Sequence, residues 1–425
     1  MEQWRQDRLI DILDTLIDYR GKTPNKVDCG IPLITAKIVI NGRIDTPTEF
    51  LPTEDYNGWM VRGFPQVGDV VLTTEAPLGE VAQLTDEKIA LAQRIVCLRG
   101  KEGVLDNTYL KYFFLSNIGQ NRLKARETGT TVTGIKQSEL KEILIDYPKI
   151  DTQKAIASVL SSLDSKIELN RRINDNLEQQ VQALFKAWFV DFEPFKDGEF
   201  VDSELGMIPK AWKIKPLEYL VEKVKSGDWG KDEPTGNYTK KTFCMRGADF
   251  PDIKEGNKGK MPIRYILEKN FNDKSLCDGN VVVEISGGSP TQSTGRIVLV
   301  DRAFVADCGN ALICTNFCKS LEIKEDYSMF FYLLWQYLYD LRVMFIYENG
   351  SNGLKNLNVN SLIERESFVI PTKEVVSKFN SVVSDLLSTK QANGIEVSRL
   401  ASLRDTLLPK LMSGELKNSE IETEK

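Results

Sequence analysis

Two long segments of the chain repeat apolar residues at the four-three spacing that is typical of helices paired in a coiled coil. The first repeat begins at Ile156 and ends at Trp188, and the second begins at Val375 and ends at Leu407. In both, apolar residues flank a polar middle, and polar seam residues fix register at some cost in stability. We predict two long paired helices whose polar layers meet. The expected pairing residues are Ile156, Leu163, Asn170, Leu177 and Leu184 in the first helix and Phe379, Leu386, Asn393, Leu400 and Leu407 in the second, whose seam would also include Val382, Thr389, Glu396 and Leu403.

The chain also contains an internal duplication. A short strand-like run ends at Pro148 and another at Pro371, 223 positions later, and each run is followed by one of the helical repeats. Upstream, Trp4 and Leu9 correspond to Trp212 and Leu217, 68–71 to 279–282, 109–114 to 329–334, and 127–129 to 348–350. A period of more than 200 residues excludes a solenoid and implies two copies of one domain-plus-helix unit.

Each copy begins with a mixed α/β pattern. Short β-branched runs at 31–34, 70–72 and 95–98 are separated by Gly, Pro, Asn and Thr, and amphipathic helices are predicted near 106–117 and 326–346. The predicted fold class is α+β, with two similar mixed α/β domains separated by two long helices that pair as an antiparallel coiled coil. The expected boundaries are 1–150 for the first domain, 151–192 for the central helix, 193–371 for the second domain, 372–416 for the C-terminal helix and 417–425 for a tail.

Composition excludes several classes of protein. Hydrophobic residues make up 41% and charged residues 27%, which is globular usage. The charged N-terminus lacks the apolar core of a secretory signal, and the apolar stretch 329–347 carries Gln336, Asp340 and Arg342, which favours a buried amphipathic helix over a membrane span. The expectation is a soluble, cytoplasmic protein without a membrane partner.

The residue types also limit the chemistry. The chain has no histidine, which removes Ser-His-Asp and Cys-His catalysis and every histidine-based metal centre. The seven cysteines are scattered, and Cys308, Cys314 and Cys318 lack the pattern of a zinc site, so small buried hydrophobic side chains are the expected role. No metal, cofactor or catalytic residue is predicted in this chain.

Charge is distributed unevenly. The net charge is −6, but residues 20–43 and 111–136 each have a local net charge of +4. A basic face can be offset elsewhere on an acidic chain, so the overall charge does not exclude binding to nucleic acid. Composition alone leaves these segments equally compatible with ordinary solvated surface.

The helices carry the most specific sequence signals. Residues 151–160 and 177–189 resemble the central conserved helix of the specificity (S) subunits of type I restriction-modification enzymes, and residues 403–416 resemble the C-terminal conserved helix of that family. The segments Arg20-Gly21-Lys22-Thr23-Pro24 and Gly129-Thr130-Thr131 are similar to pieces of its target-recognition domains. The second copy lacks the first of these segments and has Ser226-Gly227-Asp228-Trp229-Gly230-Lys231 at the comparable place.

The resemblance implies a DNA-binding, non-catalytic subunit. Each target-recognition domain would read one half of a split, asymmetric site in double-stranded DNA, and the helices would set the unread spacer. Two methyltransferase (M) subunits would dock on the helices and methylate adenine with S-adenosylmethionine, and two R subunits, which use ATP and Mg²⁺, would translocate and cleave unmethylated DNA. The repeat from Ile156 to Trp188 would span roughly 48 Å as a helix, compared with about 34 Å for one turn of B-DNA.

Base reading requires hydrogen-bonding side chains at loop tips, and phosphate binding requires Lys, Arg, hydroxyls or bare backbone amides. The small polar run 286–294 between two β runs is the strongest such loop, although ordinary turns have similar composition. The candidate DNA contacts are Lys22, Thr35, Lys37, Thr73, Thr74, Thr130, Thr131 and Lys136 in the first domain, and Arg246, Ser286, Ser289, Thr291, Gln292, Ser351, Asn352 and Lys355 in the second.

Other hypotheses were considered. Gly21-Lys22-Thr23 fails as a phosphate-binding loop because Leu16 stands where the upstream glycine belongs. Asp252 and Glu322 loosely imitate a stand-alone Mg²⁺-dependent nuclease, and a coiled-coil scaffold without DNA function is a further alternative. The aromatic cluster of Trp188, Phe189 and Phe192 suits either an M-subunit contact or a hinge core, with the core slightly favoured.

Overall fold

The computed structural model describes residues 4–86, 88–129, 133–289, 292–351 and 354–416. The chain divides into two compact units: unit 1 comprises Met1–Ile167 and Leu400–Lys425, and unit 2 comprises Glu168–Arg399. The strands are β1 (Arg5–Arg8), β2 (Leu13–Asp18), β3 (Ile31–Ile34), β4 (Val39–Ile40), β5 (Arg43–Ile44), β6 (Phe50–Leu51), β7 (Val70–Thr74), β8 (Leu78–Gln83), β9 (Ala90–Leu91), β10 (Ile95–Gly100), β11 (Leu144–Tyr147), β12 (Phe200–Val201), β13 (Ile208–Pro209), β14 (Lys213–Pro216), β15 (Val221–Ser226), β16 (Tyr238–Met245), β17 (Ile263–Leu267), β18 (Val281–Glu284), β19 (Ser286–Gly287), β20 (Ile297–Leu299), β21 (Leu312–Cys314), β22 (Cys318–Ile323), β23 (Glu348–Ser351), β24 (Leu354–Leu357) and β25 (Ser367–Ile370).

Two long helices contribute to both units. They are α6 and α12, each of 40 residues, and the shorter helices lie within one unit or the other. The helices are α1 (Leu9–Ile12), α2 (Tyr56–Trp59), α3 (Asn107–Leu115), α4 (Asn117–Lys124), α5 (Gln137–Lys141), α6 (Ile150–Phe189), α7 (Phe250–Lys254), α8 (Glu268–Lys274), α9 (Arg302–Asp307), α10 (Ser328–Asp340), α11 (Val359–Arg365) and α12 (Lys373–Met412).

The two units have the same sheet topology. Unit 1 contains a four-stranded antiparallel sheet in the order β2-β10-β7-β8, and unit 2 contains one in the order β15-β22-β18-β20. A second sheet pairs one antiparallel and one parallel neighbour with a central strand, in the order β6-β3-β9 in unit 1 and β17-β16-β21 in unit 2. The two-stranded pairs β1-β11 and β14-β25 also correspond. The mixed α/β fold and the duplication are therefore confirmed.

The duplication extends to individual hydrogen bonds. The Asp69 carboxylate accepts a hydrogen bond from the Gln66 amide (2.8 Å), and the Asn280 side chain accepts one from the Cys277 amide (3.0 Å). In unit 1 the residue after this turn begins β7, and in unit 2 the residue after it begins β18. These two strands occupy the same place in their sheets. These short polar side chains close the same turn by bonding their own backbone neighbours.

Each unit has its own hydrophobic core. In unit 1, α3 buries Tyr109, Tyr112 and Phe113 against the four-stranded sheet. In unit 2, α10 is buried along most of its length, as the sequence predicted for the apolar stretch 329–347. The predicted helix is too long, because α10 ends at Asp340 and the backbone turns through a left-handed residue, Arg342 (φ 62°), into a 3-10 turn.

The aromatic end of α6 is part of the unit 2 core. Phe189 is fully buried, with its ring centroid 4.8 Å from that of Phe379 and 4.9 Å from that of Phe330. Phe192 stacks edge-on against Trp212 (5.4 Å). The core interpretation of this cluster is therefore confirmed. In the part of the chain that the structure describes, no helix has the length and apolarity that crossing a membrane requires.

The long helices run antiparallel where they meet in unit 2. Asn170 donates to Glu396 (2.7 Å), the Asn393 amide donates to Asn174 (3.0 Å), and Lys390 pairs with Glu178 (2.6 Å). Residue numbers rise along α6 as they fall along α12, which defines the direction. The predicted meeting of polar layers is confirmed.

Within unit 1 the first turns of α6 pack against the last turns of α12. Ile156 and Leu160 share a core cluster with Leu411. Farther along, Arg404 of α12 donates to Asp164 of α6 (2.9 Å). The two helices are therefore held together in this unit by an apolar contact and an ion pair.

The seam predicted for α12 is wrong in detail. Val382 and Leu403 are 44% and 47% exposed, whereas Val383, which follows Val382, and Val397, which follows the seam residue Glu396, are buried. The helix packs on a second neighbour besides α6, because a Cβ atom on Gly394 would lie 1.7 Å from the Glu255 carbonyl oxygen. A helix buried on two sides does not follow the narrow seam of a two-helix coiled coil, so the four-three spacing identified the helix but not its buried face.

Candidate nucleic-acid interface

Five loops of unit 1 meet at one edge of its sheets. We call them the unit 1 loop cluster: residues 20–23, 35–38, 74–77, 92–94 and the described parts of 128–136. Thr23 donates to Gln93 (3.5 Å), the Ala92 amide bonds Ile34 (2.9 Å), and the Ile135 amide bonds Thr74 (2.9 Å). These hydrogen bonds thus bring together loops that are far apart in sequence.

Three of the predicted contacts are exposed lysines of this cluster or its border. Lys22 lies in the turn after β2, Lys37 in the turn after β3, and Lys136 at the start of α5. Lys136 also lines a groove of about 480 Å³ with Arg126, Glu127, Thr128 and Glu139, in which Arg126 pairs with Glu139. Exposed ammonium groups on short loops can reach DNA phosphates, the most common partners of lysine in protein–DNA contacts.

Two predicted contacts in this unit require correction. Thr73 and Thr74 belong to β7, are buried, and cannot touch DNA in this conformation. The Thr73 hydroxyl accepts a hydrogen bond from the Glu80 amide (2.8 Å), so its role is to close the β7–β8 pair. The strand is buried on both faces, which hides the alternation that would have marked it. Thr35 is also largely buried, at the end of β3.

Unit 2 has an equivalent cluster. The unit 2 loop cluster consists of residues 246–249, 315–317 and 354–357 and the described parts of 285–296 and 348–351. The Thr315 amide bonds Met245 (2.9 Å), the Leu357 amide bonds Ile285 (2.9 Å), and Arg296 donates to the Gly247 carbonyl (3.0 Å). The first two bonds repeat those made by Ala92 and Ile135 in unit 1.

This cluster contains a small sheet of its own, β19-β24-β23, which brings four predicted contacts together. The Ser286 hydroxyl bonds Asn356, and Lys355 donates to the Ser289 carbonyl (3.0 Å). The Gln292 amide bonds the Ser289 hydroxyl (3.0 Å). Gln292 itself is exposed.

Two of the predicted cationic contacts are engaged within the protein. Lys355 pairs with Glu348 (2.9 Å), and Arg246 pairs with the buried Asp249 (2.7 Å). Burial raises the pKa of Glu348, but hydrogen bonds from Lys355 and Thr294 outweigh it and hold that pKa below its ordinary value. Both cations stabilise loop structure, and their side chains are only partly exposed to solvent.

Some predicted contacts fall outside the described residues or at their margin. Thr130, Thr131, Thr291 and Asn352 lie outside them, and Ser351 is described only through its backbone, which pairs with Leu354 in β23–β24. The nuclease hypothesis gains no support. Glu322 is paired with Lys225, and within the described ranges no group of three or more acidic or cysteine side chains is placed to hold a metal ion.

Comparison with known proteins identifies the family. A model of the type I restriction modification DNA specificity domain matches residues 2–179. The type I restriction enzyme MjaIX specificity subunit of Methanocaldococcus jannaschii is 31% identical over 370 residues, a match that covers 85% of this chain and 80% of that protein. The chain belongs to the family of type I restriction enzyme specificity subunits. It is thus a DNA-binding, non-catalytic component of a restriction-modification system.

Further similarities agree with this assignment. The HindI specificity subunit of Haemophilus influenzae is 24% identical over 354 residues, which covers 69% of this chain and 74% of that subunit. The crystal structure of the type I restriction-modification S subunit from M. genitalium superposes with a TM-score of 0.59 at 17% identity and covers 96% of both chains. The specificity-subunit fold is therefore present along nearly the whole chain.

The sequence-based candidates omitted two residues of this specificity subunit that the clusters display. Arg94 lies in the unit 1 cluster and Phe317 in the unit 2 cluster, and both are exposed. Arg94 has no Ser, Thr, Asn or Gly neighbours of the kind that indicate a recognition loop, whereas Phe317 directly follows Thr315 and Asn316.

Proposed function

We propose that each unit reads one half of a bipartite, asymmetric site in double-stranded DNA through its loop cluster. The observation that supports this proposal is one scaffold built twice with different side chains at equivalent loop positions. Equal scaffolds place the loops in the same way relative to each sheet, and unequal loops suit two different half-sites. Base edges in the major groove present distinct donor and acceptor patterns for such loops to read.

The contacts divide by chemistry. Lys22, Lys37 and Lys136, which are exposed, are the proposed phosphate contacts of unit 1, and Gln292 is a proposed base contact of unit 2. Thr130, Thr131, Ser289, Thr291, Ser351 and Asn352 remain candidate contacts, whereas Thr35, like Thr73 and Thr74, is buried. Arg246, Ser286 and Lys355 hold the unit 2 loops in place and are proposed to touch DNA only through their outward atoms.

The subunit is proposed to work in a cytoplasmic complex. Two M subunits would dock on α6 and α12 and methylate adenine with S-adenosylmethionine, and two R subunits would supply ATP- and Mg²⁺-dependent translocation and cleavage. The helices would set the length of the unread spacer. In this arrangement the chain itself needs no bound cofactor, because the chemistry belongs to its partners.

Mapping methylated adenines in cells that carry this chain together with its M subunit tests the proposal. The expected result is methylation at one split, asymmetric motif with a spacer of fixed length. Methylation at a single continuous motif, or none that depends on this chain, would contradict it. Magnesium-dependent cleavage of DNA by the purified chain alone would instead support the nuclease hypothesis.

A further inference from the structure

Arg94 and Phe317 occupy equivalent positions in the two units. Arg94 immediately precedes β10 and accepts a hydrogen bond at its carbonyl from the Thr74 amide (2.8 Å). Phe317 immediately precedes β22 and accepts the same bond from the Ile285 amide (2.9 Å). The next residue in each unit pairs with the corresponding strand, Ile95 with β7 and Cys318 with β18. The backbone at this position is therefore fixed by the scaffold in both units.

The Arg94 side chain is presented from a backbone conformation that a non-glycine residue rarely adopts. Its φ angle is +73°, and its side chain is 50% exposed. Unusual backbone conformations of this kind persist where the surroundings hold them and are concentrated at functional sites. Here the hydrogen bond from Thr74 holds the carbonyl while the side chain projects from the cluster.

The neighbour of Arg94 indicates what it contacts. The Glu75 carboxylate lies 3.5 Å from the guanidinium. A carboxylate at that distance repels a phosphate but not the neutral edge of a base, and it restricts the orientation of the guanidinium. An oriented guanidinium matches the O6 and N7 acceptors of guanine in the major groove. The pairing of Arg94 with Glu75 therefore suits a contact with a DNA base better than a contact with a DNA phosphate.

Phe317 offers the opposite chemistry at the same position. Its side chain is 59% exposed, and it packs in none of the hydrophobic clusters found in the described residues. The turn that presents it is closed by the Thr315 hydroxyl, which accepts from the Phe317 amide (3.2 Å). An apolar ring cannot bind phosphate, but it can cover the methyl group of thymine.

We propose that this position reads one base pair in each half-site, with Arg94 contacting a guanine and Phe317 contacting the methyl group of a thymine. The inference rests on the proposed function and adds the base that each unit selects at one position. The two units thus distinguish their half-sites partly by presenting a charged side chain in one unit and an apolar side chain in the other, at the same position next to the sheet.

The test for Arg94 uses the full chain expressed with its M subunit, with methylated adenines mapped across the genome. Arg94→Ala is expected to reduce discrimination against other base pairs at one G·C position of one half-site. The expected reduction is roughly 5- to 150-fold, the discrimination that a bidentate contact provides. Arg94→Lys keeps the charge but loses the two-pronged geometry, so it should relax the same position. Uniform weakening at every site, with discrimination at each position unchanged, would mean a phosphate contact and would overturn the proposal.

The test for Phe317 measures binding of the purified M–S complex to duplexes in which thymine is replaced by deoxyuridine, which lacks only the methyl group. Wild type is expected to bind roughly 3- to 10-fold more weakly when one thymine of the other half-site is replaced by deoxyuridine. This is the loss expected for the apolar contact of about one methyl group. Phe317→Ala should bind both duplexes equally. Equal sensitivity to uridine in wild type and variant would overturn the proposal.

Matched variants control for loss of an exposed side chain. Arg8 is 50% exposed and paired with Asp11, and Leu205 is 53% exposed, and both lie outside the loop clusters. Arg8→Ala and Leu205→Ala should leave the motif unchanged. If wild type methylates a split motif and the Arg94 and Phe317 variants keep that motif, this inference fails alone; absence of a split motif in wild type is failure of the proposed function.

Discussion

Unit 1 and unit 2 build the same sheet but connect its strands differently. In unit 1 the turn between β7 and β8 is only residues 75–77, whereas in unit 2 the connection from β18 to β20 contains β19, which joins a small additional sheet. The buried strands of the two units keep their order and register while the exposed connections differ. A conserved core therefore permits loops of different length and chemistry, which is how one scaffold can serve two different half-sites.

The contacts of the long helices also differ between the units. In unit 1, Asp164 accepts from Arg404, Tyr112 and Lys111, a largely ionic cluster. In unit 2, asparagines meet across the helices at Asn174 and Asn393, beside the Lys390–Glu178 ion pair. Amide pairs are directional but weak, whereas a shielded carboxylate with several donors is strongly coupled to its partners. The Asp164 cluster of unit 1 should therefore be more sensitive to loss of one side chain than the amide layer of unit 2.

The largest effect is expected from Gly394→Ala in unit 2. The new Cβ would lie 1.7 Å from the Glu255 carbonyl, so backbone must move. Overpacking of this kind outweighs the helix propensity gained by alanine, and a net loss of about 3 kcal/mol in the free energy of unfolding is expected. Urea unfolding measures it. Gly58→Ala in α2 of unit 1, where a Cβ meets nothing within 4 Å, is the control and should be neutral or slightly stabilising.

Asp164→Ala should destabilise unit 1 by about 2 kcal/mol, because it leaves three donors without their shared acceptor. Asp405→Ala is the matched control, since it removes an exposed carboxylate from the same Arg404 and should cost less than about 0.5 kcal/mol. Chemical denaturation followed by intrinsic fluorescence separates the two outcomes. Equal effects of both variants would show that the buried cluster adds nothing beyond a surface ion pair.

The same carboxylate gives a pH signature. Burial raises the pKa of Asp164, but Lys111, Tyr112 and Arg404 outweigh it, so its pKa in the folded protein is below the ordinary value. A depressed pKa contributes stability that is complete above the unfolded value of about 3.9 and is lost as pH falls through the folded pKa. Wild type should therefore lose more stability than Asp164→Asn between about pH 5 and pH 3.

A smaller effect is expected at the amide layer of unit 2. Asn174→Leu leaves the Asn393 side chain without its acceptor and should cost about 1 kcal/mol. Because an apolar pair can replace a polar pair of similar shape, the double variant Asn174→Leu with Asn393→Leu should recover most of that loss. A double-mutant cycle measures the coupling. Additive losses from the two substitutions would contradict the assignment of this layer as a mutually satisfied pair.

The smallest effect is expected from single lysines of the loop clusters. Lys136→Ala should weaken DNA binding similarly at all sequences and reduce the slope of log affinity against log salt by about 1, as loss of one phosphate contact does. Lys355 pairs with Glu348, so Lys355→Ala should change the salt slope less than Lys136→Ala does and should lower the free energy of unfolding more. Salt titrations of the M–S complex on its DNA distinguish the two lysines. Equal slope changes would contradict the structural role given to Lys355.

Much of the fold could be predicted from the sequence because duplication and helical periodicity are long-range patterns. The 223-residue offset located the equivalent helices, and the polar interruptions in both repeats predicted that their polar layers meet, as Asn174 and Asn393 do in the structure. The buried face of α12 could not be predicted, because it depends on the close approach of Glu255 to Gly394. A contact with a distant part of the chain does not appear as a periodic pattern of apolar residues in the sequence of the helix.

The candidate site was predicted less completely, for a different physical reason. Polar composition identifies loops and strand ends equally well, so Thr73 and Thr74 were assigned to the interface although they are buried in β7. Arg94 and Phe317 were missed because their role depends on which turn the scaffold exposes, and only the strand register of the two units shows that they are equivalent.

Exchange of residues 1–150 for those of another family member, followed by mapping of methylated adenines in cells that carry the M subunit, tests the central claim most directly. Two independent readers on equivalent scaffolds predict that one half of the split motif changes to that of the donor, while the other half and the spacer stay the same. A change in both halves, or in the spacer alone, would show that recognition does not reside in separate units.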